Sequence, residues 1–134
     1  MSRKIFVNLP VKDLNRSVDF FTKCGFSFNP QFTDENATCM VVSDDIFVML
    51  LVEPFFQSFS KREIPDPART SEVLVCLSAD TREEVDALVD SAVAAGGDAH
   101  GEPQAEGPMY GRSFTDPDGH IWEAMWMDPA ALEG

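Results

Sequence analysis

One pattern runs through this chain twice. Ile5, Val7 and Leu9 alternate with Phe6 and Asn8 across Lys4–Pro10, the period of a strand with two unlike faces. Asp13 then stands as an N-cap before Leu14, Val18 and Phe21 at helical spacing, and Gly25 closes that helix. Val73, Val75, Leu77 and Thr81 repeat Ile5, Val7, Leu9 and Asp13 at a constant offset of 68 residues. Thr81-Arg82-Glu83-Glu84 is a capping box; Val85, Leu88, Val89 and Ala92 form the apolar stripe behind it, and Gly96-Gly97 stops it. Later, Ile46-Phe47-Val48-Met49 matches His120-Ile121-Trp122-Glu123 at an offset of 74. The longer second helix absorbs three of the six added residues, and the loop around Pro103–Gly107 the rest. A sequence that repeats strand, helix and strands in this way is constrained to fold each copy alike.

Between these anchors the first copy offers short strands at Phe26–Phe32, Ala37–Val42 and Ile46–Val52, separated by turn-like Asp34-Glu35-Asn36 and Ser43-Asp44-Asp45. The second offers Asp98–Glu102, Tyr110–Thr115 and His120–Met127, with Asp116-Pro117-Asp118-Gly119 between the last two. The reading is one domain of 134 residues: a module over 1–52, a connector over 53–71, a module over 72–127 and a tail over 128–134. The connector carries prolines at 54, 65 and 67 and phenylalanines at 55, 56 and 59, with room for one helical turn. Phe55–Phe59 reads as a lid on a pocket, a contact to a second subunit, or simple cover for the core.

A formal charge of −13 excludes nucleic acid and anionic membrane as partners, because both need clustered Lys and Arg. The acids around Thr81–Asp90 read as solvated surface. No apolar run is long enough to span a bilayer, and Met1-Ser2-Arg3-Lys4 leads into a strand without a hydrophobic leader, so a cytoplasmic protein is expected. Cys24, Cys39 and Cys76 are an odd number with no CxxC spacing, which points to free thiols.

Val11-Lys12-Asp13-Leu14 with Ser17 and Phe20-Phe21, and Phe114-Thr115-Asp116-Pro117-Asp118-Gly119-His120-Ile121-Trp122-Glu123 near the end, resemble the vicinal oxygen chelate superfamily. That superfamily includes glyoxalase I, extradiol dioxygenases, fosfomycin resistance enzymes and bleomycin-binding proteins; the nearest likeness is to the group called predicted lactoylglutathione lyase. The resemblance implies an α+β fold: two tandem βαβββ modules forming an open curved β-barrel, helices outside and a ligand cavity inside. It also implies a homodimer. In metal-dependent members the first and last strands of each module each supply a ligand, usually His or Glu. The matching positions here are Phe6, Met49, Leu74 and Glu123. Only Glu123 suits a hard or borderline cation, so no cofactor is expected, with a divalent metal left open.

The cavity that the resemblance implies is lined by Phe6, Met49, Leu74 and Glu123 at the ligand positions, by Asn8 and Cys76 on the same strand faces as Phe6 and Leu74, and by Leu51, with Tyr110 and Arg112 on the penultimate strand. Glu123, lined by hydrocarbon, is a candidate general base; alternatively it pairs with Arg112 or meets pocket water. Asn8 either donates to a substrate oxygen or satisfies neighbouring backbone. Tyr110 and Arg112 offer an anion clamp, against an Arg112–Glu123 structural pair. Cys76 reads as a core thiol. His100 and His120 miss the ligand positions and are expected to face solvent. Trp122 and Trp126 fall opposite Glu123, under the helices. The expected function is binding of a small, partly apolar molecule in the cavity without the full metal site. The alternative is a lyase or isomerase, lactoylglutathione-lyase-like, with Glu123 as base and Asn8 or Arg112 steadying an oxyanion.

Overall fold

The computed structural model describes residues 3–132 and divides into two compact units, one through Pro65 and one from Asp66 onward. The fold class is α+β, as expected, with one open sheet in each unit.

In the first unit β1 (Ile5–Val11) leads into α1 (Leu14–Lys23), whose N-cap Asp13 accepts from the Arg16 amide at 3.1 Å. The strands β2 (Ser27–Asn29), β3 (Ala37–Val41) and β4 (Ile46–Val52) follow. The sheet runs β1-β4-β3-β2, with β1 and β4 parallel and the other pairs antiparallel. Leu9 lies beside Leu50, and Met40 beside Val48. These four are buried, as are Leu14, Ser17, Phe20 and Phe21 of α1. The opposite face of the sheet carries Phe6, Asn8, Phe47, Met49 and Leu51 by the two-residue period of its strands.

The second unit builds β5 (Leu74–Ser78), α3 (Arg82–Ala94), β6 (Asp98–Ala99), β7 (Gln104–Glu106), β8 (Met109–Thr115) and β9 (Ile121–Met127). Its sheet runs β5-β9-β8-β6, with β7 pairing on β8. The capping box closes one residue further out than the simplest form: Thr81 Oγ1 accepts from the Glu84 amide at 3.1 Å, while Glu84 Oε2 accepts from the Asp80 amide at 2.8 Å. Val85, Val89, Ala92, Phe114, Trp122 and Ala124 are fully or almost fully buried.

The ladders carry the duplication into hydrogen bonds. Phe6 pairs with Phe47 and Asn8 with Met49 in the first unit; Leu74 pairs with Ile121 and Cys76 with Glu123 in the second. Each pair sits at the two offsets found in the sequence.

Several elements differ from expectation. The strand expected over Phe26–Phe32 ends at Asn29, and Pro30–Phe32 is a turn of 3-10 helix, because proline at its first position cannot extend a ladder. The connector holds an eight-residue helix, α2 (Glu53–Ser60), where one turn was expected. Pro54 sits in its first turn, where the missing amide costs nothing, and Phe55 and Phe59 stand one turn apart. Lys61 ends it in the left-handed conformation at φ 60°. The expected loop at Pro103–Gly107 contains β7, and the tail expected over 128–134 is described as far as Leu132, with a 3-10 turn at Pro129–Leu132.

The Asp116-Pro117-Asp118-Gly119 turn is built around one buried carboxylate. Asp116 Oδ1 accepts from the amides of Asp118, Gly119 and His120, each at 3.0 Å, and Oδ2 accepts from the Trp122 indole at 3.0 Å. Gly119 has φ +100°, and a Cβ there would meet the Ala68 amide nitrogen at 2.9 Å. The turn therefore needs glycine twice over, for its backbone angle and for the close approach of Ala68. His120, expected in solvent, is buried: it shares the parity of Trp122 and lies on the covered face, close enough to act on the Asp116 carboxylate.

Candidate functional site

In the first unit, α2 packs against β1 and β4 and borders an open cleft of about 400 Å³, lined by Asn8, Leu51, Phe56, Phe59 and Ser60. Of the residues expected to line a cavity, the structure brings Asn8 and Leu51 together here. Leu51 is buried; Asn8 is exposed and holds only a long bond, Nδ2 to the Phe6 carbonyl at 3.4 Å. Met49 is half-buried beside Asn8 in the ladder. Phe6 is half exposed and stacks on Phe47, with centroids 4.9 Å apart and planes 13° apart. Phe55 and Phe59 meet edge to face at 5.0 Å.

In the second unit, Leu74, Cys76 and Glu123 share the face away from α3 by ladder parity. Glu123 is half-buried, and among the described residues its side chain makes no hydrogen bond or ion pair. Cys76 lies opposite it; partial burial, and then the neighbouring Glu123 carboxylate, push its thiol above the ordinary value. A raised thiol is a poor nucleophile at neutral pH, and Cys76 is exposed rather than in the core.

Tyr110 and Arg112 do not join that face. The Tyr110 hydroxyl donates to Asp86 Oδ1 at 2.6 Å, and Arg112 Nη1 donates to Asp86 at 3.0 Å and to Asp90 at 3.1 Å. Arg82 lies over the Tyr110 ring at 4.3 Å. Both acids stand one turn apart on α3, so the guanidinium is held on the helix side of the sheet. Neither an anion clamp on the Glu123 face nor an Arg112–Glu123 pair forms among the described residues, because Arg112 shares its parity with buried Phe114 while Glu123 lies opposite Ser113. The acids of α3, read from sequence as solvent-facing charge, supply the missing partners. Their spacing of four, opposite a lone strand arginine, was the available signal.

Phe56, Phe59 and Ser60 are the cavity residues that strand parity alone could not place, since they arrive on α2. Of the positions that the resemblance assigns to metal ligands, Phe6 and Met49 in the first unit offer a hydrocarbon ring and a thioether, and Leu74 and Glu123 in the second a hydrocarbon group and one carboxylate. Of these side chains only the carboxylate suits a hard or borderline divalent cation. Among the described residues no three His, Cys, Asp or Glu side chains gather as a metal site, and no helix is long and apolar enough to cross a membrane.

The family described as bleomycin resistance protein-like N-terminal matches residues 3–43. No curated protein matches the chain. A hypothetical protein from S. aureus, SA1046, is similar at 32% identity and TM-score 0.79, over 94% of this chain and 95% of that one. A glyoxalase/bleomycin resistance protein/dioxygenase family enzyme from Burkholderia phytofirmans shares the fold at TM-score 0.78 and 18% identity, over 94% and 99%. So does TnmS3, an antibiotic binding protein from Streptomyces, at TM-score 0.68 and 19% identity, over 96% and 98%. With a repeated βαβββ ladder, the closing Asp-Pro-Asp-Gly turn and these likenesses, the chain belongs to the vicinal oxygen chelate superfamily, of the glyoxalase and bleomycin-resistance type.

Proposed function

We propose that the protein binds a small, partly apolar molecule and does so without a metal. The observation that carries this reading is the cavity under α2, whose lining is aromatic and aliphatic with one amide and one hydroxyl, the usual make-up of a ligand pocket. The donor set at Phe6, Met49, Leu74 and Glu123 supports it from the other side. TnmS3, of the same fold, is an antibiotic binding protein; a comparable sequestering role suits this chain.

The test is metal analysis of the purified protein together with a thermal-shift screen of small metabolites and natural products. The expected outcome is no stoichiometric Zn, Ni, Fe or Mn and at least one stabilising compound. At a hundredfold excess over its Kd a ligand adds about 2.7 kcal/mol, enough to raise the melting temperature by several degrees. Stoichiometric metal, or a broad screen without a stabilising compound, overturns the reading.

A second reading, a lyase or isomerase, rests on Glu123, a half-buried carboxylate whose side chain makes no hydrogen bond or ion pair among the described residues. No step is assigned to Tyr110 or Arg112, which are held by α3. If turnover of any stabilising compound is found, Glu123→Gln is expected to remove it while binding persists; full activity in that variant ends this reading. The homodimer implied by the superfamily resemblance belongs to the same proposal. A monomer in solution at about micromolar concentration, seen by light scattering, counts against it.

A further inference from the structure

The cavity under α2 has a composition that selects among ligands. We propose that it takes a neutral aromatic molecule with one polar edge, its ring against Phe59 and Phe56 and its edge meeting Asn8 and Ser60. This rests on the binding reading above and names the ligand class of that site. None of the five lining residues ionises, in a chain of net charge −13. An anion would meet the repulsive field of the molecule with no cation in the lining to offset it. A cation would lose water without gaining a carboxylate.

The two rings supply the rest of the selection. Phe59 keeps 67% of its surface in water and meets Phe55 edge to face. It is a largely uncovered ring, open to stacking. The polar groups are lightly engaged. Asn8 donates one 3.4 Å bond, its carbonyl oxygen accepts none among the described residues, and both bonds linking the Ser60 hydroxyl to Arg62 are 3.3 Å long. A ligand hydroxyl or amide therefore replaces weak bonds with better ones. The volume of about 400 Å³ suits a molecule of one to three rings.

The experiment uses the full chain and four probes at about pH 7, with calorimetric Kd as the readout: 2-naphthol, 2-naphthoate, 2-naphthylmethylammonium and decahydro-2-naphthol. The result expected is that 2-naphthol binds, and that both charged analogues and the saturated alcohol bind at least about tenfold more weakly. Phe59→Leu, which keeps apolar bulk and removes the ring, is expected to weaken 2-naphthol about tenfold with an unchanged melting curve. Phe32→Leu, at an exposed ring away from the cavity lining, is expected to leave it unchanged. Equal or tighter binding of a charged analogue, or Phe59→Leu with undiminished affinity, overturns the proposal. Failure of all four probes also overturns it. The wider binding reading then stands or falls separately, by the metal analysis and the metabolite screen.

Discussion

Asp116 organises its turn with one side chain. Its two oxygens serve three backbone amides and an indole, and the indole belongs to the largest fully buried residue. Asp116→Ala removes a shared buried acceptor, although the Gly119 amide keeps the Asp116 backbone carbonyl at 2.9 Å, and is expected to cost about 3 kcal/mol, read as a fall in the urea midpoint at unchanged slope. A loss below about 1 kcal/mol would show that the turn stands without its carboxylate. Asp86 makes a different prediction. The Tyr110 hydroxyl first, and then the Arg112 guanidinium, hold its carboxyl below the ordinary value. A carboxylate lowered on folding adds stability above the unfolded range, and that stability is lost as pH falls through the folded value. Asp86→Asn is therefore expected to melt below the wild type at neutral pH, with the gap closing below about pH 4. A gap constant down to about pH 3 would mean that the hydrogen bonds, and not the charge, carry the contribution.

Among the elements, α3 owes its start to Thr81, and Thr81→Ala is expected to lower stability by about 1 kcal/mol in chemical unfolding, since it removes the acceptor of the Glu84 amide. At the end of α2 the sign reverses. Lys61 is the only described non-glycine residue at positive φ. Lys61→Gly is expected to raise stability by about 0.5–1 kcal/mol by relieving the left-handed strain, and a loss would point to a packing role for the lysine stem. These two helices also mark how far the sequence could be read. α1 and α3 announce themselves by a cap, an apolar stripe and a glycine stop. α2 has no side-chain cap bond, a proline in its first turn and three clustered phenylalanines, features shared with a loop. β7 is Gln104-Ala105-Glu106, without apolar alternation, and it forms because β8 presents its edge. Asn8 and Leu51 were legible as cavity residues because strand parity fixes their face. Phe59 was legible as part of a lid, a subunit contact or core cover, and its place among these depends on α2, which the sequence did not announce. Arg112 was misdirected because its face is set by parity with Phe114, and its partners lie 22 and 26 residues away.

For the molecule as a whole, duplication fixes the ladders and leaves the chemistry to the side chains. The same backbone pairing holds Asn8 beside Met49 in one copy and Cys76 beside Glu123 in the other. Each copy has its own buried centre, so truncating Phe21 or Trp122 to alanine should each cost about 3–5 kcal/mol, measured by chemical unfolding. The contact between Gly119 and Ala68 reaches further than local strain. Asp66 accepts from the Ala68, Arg69 and Thr70 amides and the Thr70 hydroxyl, so the chain entering the second copy is already folded onto that copy's closing turn. The slack in the crossing therefore lies before it, around Glu63 and Ile64. A spacer of a few Gly-Ser residues inserted there should be carried silently, whereas the same spacer between Ala68 and Arg69 should unfasten the turn. For anyone fusing, permuting or splitting this protein, the usable seam is at residues 63–64, several residues upstream of the repeat that the eye finds first.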